Sequence, residues 1–92
     1  MIIAQDGKDS ESLNRRKEVR PLHLAGAKKL KENNNFVIGG AMLDEDGHMR
    51  GSIMIVQFET PEDFQKWYDN EPYITGGVWR EIEVKPFRVA EV

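Results

Sequence analysis

The apolar positions of this chain fall into short runs separated by polar breaks, and their spacing changes from run to run. Met1-Ile2-Ile3-Ala4-Gln5 is a short apolar stretch closed by Asp6-Gly7, the pattern of a buried strand. Residues 8–12 are polar, and Ser10 or Ser12 is placed to cap a short helix running towards Val19. Pro21 then disfavours helix at Val19-Arg20 and suits the first turn of a new one. Leu22, Leu24, Ala25, Ala27 and Leu30 give that second helix an apolar face, which ends at the polar run Lys31-Glu32-Asn33-Asn34-Asn35. Length points the same way. A single helix over 10–34 would be about 37 Å long, against about 21 Å for one over 21–34 and roughly 20–33 Å for strands of about 6–10 residues. The pattern predicts a break at Pro21, with His23 in the first turn of the core helix.

Phe36 to Met42 forms the next apolar run, and Gly39-Gly40 inside it predicts a bulge or a close backbone approach. Leu43 to Gly51 is a polar hairpin connection. Ser52 to Glu59 is rich in β-branched and aromatic residues, as a strand requires. Thr60-Pro61-Glu62-Asp63 carries a capping threonine, a proline at the first helical position and an acid three residues on. Phe64, Trp67 and Tyr68 then make the inner stripe of that helix. Glu71-Pro72-Tyr73 and Gly76-Gly77 form a structured loop. Val78 to Phe87 is the last strand, with Arg80, Ile82 and Val84 on one face and Trp79, Glu81 and Glu83 on the other.

The order β-α-β-β-α-β predicts an α+β, ferredoxin-like domain with both helices on one face of a four-stranded antiparallel sheet. The other face would leave Ile53, Ile55 and Trp79 in water, which predicts a homodimer packed sheet to sheet.

Composition narrows the function classes. The 92 residues make one domain over 1–92 with room for a single modest core. A net charge of −3 argues against nucleic-acid binding, which needs a basic face. There is no cysteine for a disulfide, a thiolate metal site or a nucleophile. Neither a signal peptide nor a run of about 20 apolar residues is present, so a cytoplasmic protein with no membrane partner is expected. His23 and His48 share no ligand spacing, and His48 lies in a polar turn. Asp44-Glu45-Asp46-Gly47 lacks the further ligand positions of a calcium loop. No phosphate loop, nucleophile elbow or dinucleotide fingerprint appears, so neither metal nor cofactor is expected.

Several spaced motifs carry a resemblance. They are Ala4-Gln5-Asp6, Arg16-x-x-x-Arg20-x-x-His23-Leu24-Ala25, Gly39-Gly40, Gly51-Ser52, Glu71-Pro72-Tyr73 with Gly76-Gly77-Val78, and Val84-Lys85-Pro86-Phe87. Together they resemble the YciI family of small YCII-related proteins over nearly the whole chain. The resemblance implies a ferredoxin-like dimeric α/β barrel and an active site centred on a histidine and an aspartate, here His23 and Asp6. It further implies kinship with a dehydrochlorinase of a chlorinated hydroxyquinol and, in the wider fold, with muconolactone isomerase.

The residues allow that chemistry. Asp6 ends the first strand and Pro21 begins the helix returning from that end, so the Asp6 and His23 side chains are expected to meet. The helix N-terminus would favour neutral imidazole and the carboxylate would favour imidazolium, a balance suited to proton transfer. Arg16 and Arg20 share a helix face and suit an anionic group, with Arg20 the stronger candidate for anchoring substrate. Tyr73 in its loop could line the same cleft, and Gly40 would let a ligand approach the backbone. The expected function is a cofactor-independent lyase or isomerase in which His23 transfers a proton, Asp6 orients it and Arg20 anchors a small anionic or hydroxylated substrate. The alternative is a non-catalytic dimer that binds a small molecule in the same cleft.

Overall fold

In the computed structural model, which describes all 92 residues, β1 (Ile2–Asp6) leads into α1 (Ser12–Glu32). The hairpin β2 (Phe36–Leu43) and β3 (Met49–Val56) follows, then α2 (Pro61–Asn70), the short α3 (Pro72–Thr75) and β4 (Trp79–Val84). The strands pair antiparallel in the order β2-β3-β1-β4. That is the ferredoxin-like arrangement of two interleaved βαβ halves. Ile2, Ala4, Met54 and Trp79 on the sheet and Val78 just before β4 meet Leu30 and Tyr73 from the helices in the core, with Phe64 and Trp67 of α2 packed around them. Thr60 caps α2 through its hydroxyl, which accepts from the Asp63 N–H at 3.1 Å, and Pro61 fills the first helical position.

The helix break expected at Pro21 does not occur. α1 runs unbroken for 21 residues, about 31 Å, with Pro21 in its interior. Its buried stripe is Ser12, Arg16, Val19, His23 and Leu30, spaced i, i+4, i+7, i+11 and i+18, so the helical period passes Pro21 without a change of phase. Pro21 lies on the exposed side, where the Lys17 carbonyl that loses its partner can meet water. The apolar face expected from Leu22 and Leu24 is likewise corrected. These residues are 65% and 46% exposed, while His23 between them points inward. Two polar side chains, Arg16 and His23, take helix positions that an apolar stripe would have filled.

A second correction concerns β4. Asp6 pairs with Trp79 but Gln5 pairs with Glu81, so Arg80 is an extra residue opposite one step of β1. This bulge turns Trp79 to the helix side together with Ile82, and Trp79 is buried rather than lying beside Glu81 on the open face. A matching irregularity between Phe36 and Ile38 puts Phe36 and Gly39 both on the inner face of β2.

Candidate active site

Edge strand β2 stands away from α1, and the gap between them is a cleft of about 180 Å³. Arg16, Arg20, His23 and Leu24 line it from α1, Gly39 and Gly40 from β2, Ser52 and Met54 from β3, and Tyr73 from α3. Gly39 helps to keep it open, since a Cβ there would lie 3.0 Å from the Phe36 ring.

His23 is held on two sides. Its Nδ1 lies 2.5 Å from Oε1 of Glu71, a carboxylate whose side chain is 1% exposed. Its ring stacks on Tyr73, with centroids 3.9 Å apart and planes 10° from parallel, and Trp79 meets it edge-on at 5.9 Å. Glu71 is fixed in turn because the same Oε1 accepts the Tyr73 N–H at 3.1 Å and so caps α3. With Glu71 as the carboxylate, Nδ1–H donates to it and Nε2 becomes the bare nitrogen. Nε2 has no protein partner, is not sealed from solvent, and belongs to a residue that lines the cleft.

Asp6 does not bond to His23. Both of its carboxylate oxygens accept from Arg16 Nη1, at 3.0 and 3.1 Å, in an ion pair whose side chains are 1% and 3% exposed. The continuous α1 explains the exchange of partners. Arg16, two turns before His23 on the buried stripe, reaches the end of β1 first. Burial raises the Asp6 pKa above 3.8, and this outweighs the opposing influence of Arg16. Arg16 Nη2 donates to Ser52 Oγ at 2.8 Å, and Trp79 Nε1 donates to the same oxygen at 3.2 Å. Of the six residues singled out in the sequence, His23, Arg16, Arg20, Gly40 and Tyr73 line the cleft, and Asp6 stands behind Arg16. Glu71 and Ser52 were not singled out. The signal for Glu71 was its place before Pro72, the acid-then-proline pattern of a helix cap.

Asp44, Asp46 and His48 offer metal-type ligand atoms within 4.8 Å of one another in the β2–β3 turn, away from the cleft lining. Asp44 already accepts from the backbone N–H of Asp46 and His48 and from Arg50 Nε, so turn formation accounts for it. No helix is long and apolar enough to cross a membrane.

The model of the YCII-related domain matches residues 1–88. The chain belongs to that family. Protein YciI of Escherichia coli O6:H1 is 37% identical over 94 positions, which cover 96% of this chain and 94% of that one. An uncharacterized protein of Haemophilus influenzae is 35% identical over the same shares. Among solved structures, the 5-chloro-2-hydroxyhydroquinone dehydrochlorinase TftG of Burkholderia phenoliruptrix, in complex with 2,5-dihydroxybenzoquinone, superposes with a TM-score of 0.78. The match covers 97% of this chain and 93% of TftG at 22% identity, so this YCII-related chain and TftG share the fold.

Proposed function

We propose that this YCII-related protein is a small acid–base enzyme in which His23 Nε2 transfers a proton to or from a compact ring substrate held in the cleft. The observation that carries the reading is the commitment of Nδ1 to buried Glu71, which leaves Nε2 as the free nitrogen of a cleft-lining residue. Nε2 takes a proton from a carbon made acidic by a neighbouring carbonyl. The C–H electron pair then forms a C=C bond as a leaving group departs with its own bonding pair, or the proton returns at another carbon. The first course is elimination and the second isomerisation. Glu71 stabilises the imidazolium formed on the way and fixes the tautomer, the part the sequence had suggested for Asp6. Asp6 instead holds Arg16 in the cleft wall. The name of the TftG neighbour, a dehydrochlorinase of a hydroxylated ring, supports a substrate of that kind.

The test is proton NMR in deuterated buffer with 5-chloro-2-hydroxyhydroquinone and 2,5-dihydroxybenzoquinone as probes. The wild type should speed exchange of ring hydrogens or loss of chloride. His23→Asn should slow either process by about 10²–10⁴-fold, the range of a positioned acid–base group. Equal rates with the two proteins would remove the role of His23. Binding of both probes with no exchange by the wild type would assign the cleft to ligand binding alone.

A further inference from the structure

Three buried hydrogen-bond donors at the cleft have nothing to donate to. The Tyr73 hydroxyl has no partner, and neither does Arg16 Nε, although both atoms are sealed from water. Ser52 Oγ accepts twice, from Arg16 Nη2 and Trp79 Nε1, so its own hydrogen is left without an acceptor. Buried donors are almost always satisfied, and leaving one orphaned is costly. The two buried carboxylates already have partners. Asp6 is taken by Arg16, and Glu71 is taken by His23 and the Tyr73 N–H. A fourth donor lines the cleft, where Arg20 is exposed and makes no ion pair or hydrogen bond, in contrast to Arg15 and Arg50, each of which has an aspartate.

We propose that this wall is an oxyanion subsite, in which Tyr73, Ser52 and Arg16 Nε donate to an enolate or carboxylate edge of a planar ring substrate and Arg20 closes over it. The inference rests on the proton-transfer reading only for the substrate's fate, not for its binding. The ring of Tyr73 is locked between functions. His23 stacks on it, and the Arg16 Cζ lies 4.7 Å from its centroid. Burial raises the phenol pKa above 10 despite the pull of Arg16 and Arg20, so Tyr73 remains a donor throughout the neutral range. Because water does not reach the orphaned atoms, an incoming oxygen must displace whatever covers them. Arg20 has no protein partner and is close enough for its charge to act on the Tyr73 phenol. The anion would then lie on the wall next to the imidazole, where negative charge developing on the ring oxygen is met by fixed donors.

Calorimetric titration tests the subsite directly. The probe is 2,5-dihydroxybenzoquinone, a planar di-enolate at neutral pH, and the control is hydroquinone, a ring of the same size that is uncharged. The wild type should prefer the enolate, and Tyr73→Phe should weaken its binding roughly 10- to 100-fold, the range for a hydrogen bond to a charged group. Tyr73→Phe should melt no lower than the wild type, because the hydroxyl it loses has no partner to miss; a hydroxyl with a merely structural role would lower the melting temperature instead. Arg20→Gln should weaken the enolate and flatten its salt dependence. Equal affinity of the wild type for the two compounds, or unchanged enolate affinity in Tyr73→Phe, would overturn the subsite. Neither measurement needs turnover. Enolate binding without deuterium exchange would sink the proton-transfer reading and leave the subsite standing, whereas exchange by Tyr73→Phe at the wild-type KM would do the reverse.

Discussion

At the scale of single residues, the chemistry proposed for the cleft turns on two buried carboxylates with different partners. Glu71 faces an imidazole and Asp6 faces a guanidinium. Glu71→Gln would keep the shape while removing the charge that steadies the imidazolium, and it should lower the exchange rate about as steeply as loss of His23 itself. For Asp6 the sign of the pH effect is unusual. Its pKa in the fold lies above 3.8, so its ionised form is the disfavoured one. Its contribution to stability is therefore fully present below the unfolded value and is lost as pH rises through the folded one. Arg16→Met removes the larger influences that hold this pKa down, leaving only that of Arg50, and carbon-detected NMR titration should show Asp6 moving further up. The same change leaves a buried carboxylate unpaired and should cost about 3–5 kcal/mol in urea unfolding, part of which Asp6→Asn in the same chain should restore. A downward shift, or a loss under about 1 kcal/mol, would contradict the buried ion pair. The aspartate–histidine pairing expected from the sequence failed for a physical reason. Position along a strand shows that a carboxylate is near a helix, and only the phase of that helix shows which of its residues arrives first.

At the scale of elements, most of the chain was legible. The strand order, the threonine–proline start of α2 and the asparagine run that ends α1 are all local chemistry, and Asn34 does adopt the left-handed conformation, at φ 61°, just past that helix. The continuity of α1 was not legible, because proline was weighed as a breaker and the buried stripe was sought among leucines. Arg16, Val19, His23 and Leu30 keep the helical period, but two of the four are polar. Two substitutions test the unbroken helix. Pro21→Ala restores a lost backbone hydrogen bond on an exposed face and should add up to about 3 kcal/mol. Gly26→Ala places a methyl where no atom lies within 4 Å and should add about 1 kcal/mol. Destabilisation by either would mean that the helix yields at that point, and amide exchange should then show residues 12–20 opening apart from 22–32. The β2–β3 turn has its own acid signature. Arg50 foremost, and then the His48 N–H, hold the Asp44 pKa down at about 2, so the turn keeps this contribution above 3.8 and loses it as pH falls towards 2.

At the scale of the whole molecule, the helices cover one face of the sheet and leave the other without a layer. The bulge at Arg80 takes Trp79 off that open face, so the apolar surface there is smaller than the sequence suggested. Isoleucines remain. Ile3 pairs with Ile53 across β1 and β3, and Ile38 pairs with Ile55 across β2 and β3, which places all four on one side. Ile38 is 61% exposed and Ile53 38%. Gly40, opposite Ile53 on that side, adds no side chain that would hold a second layer away. A flat patch of β-branched side chains flanked by Glu81 and Glu83 of β4 is poorly suited to water and well suited to a second copy of itself, since a two-fold axis sets isoleucine against isoleucine. The expected state is a homodimer, and light scattering should give about twice the 10.6 kDa chain mass. Ile38→Glu with Ile53→Glu would set like charges against each other across the axis. The double variant should be monomeric while keeping its far-ultraviolet circular dichroism, because neither side chain belongs to the core of one chain. A wild type that stays monomeric at micromolar concentration, or a double variant that remains dimeric, would rule out the open face as the contact.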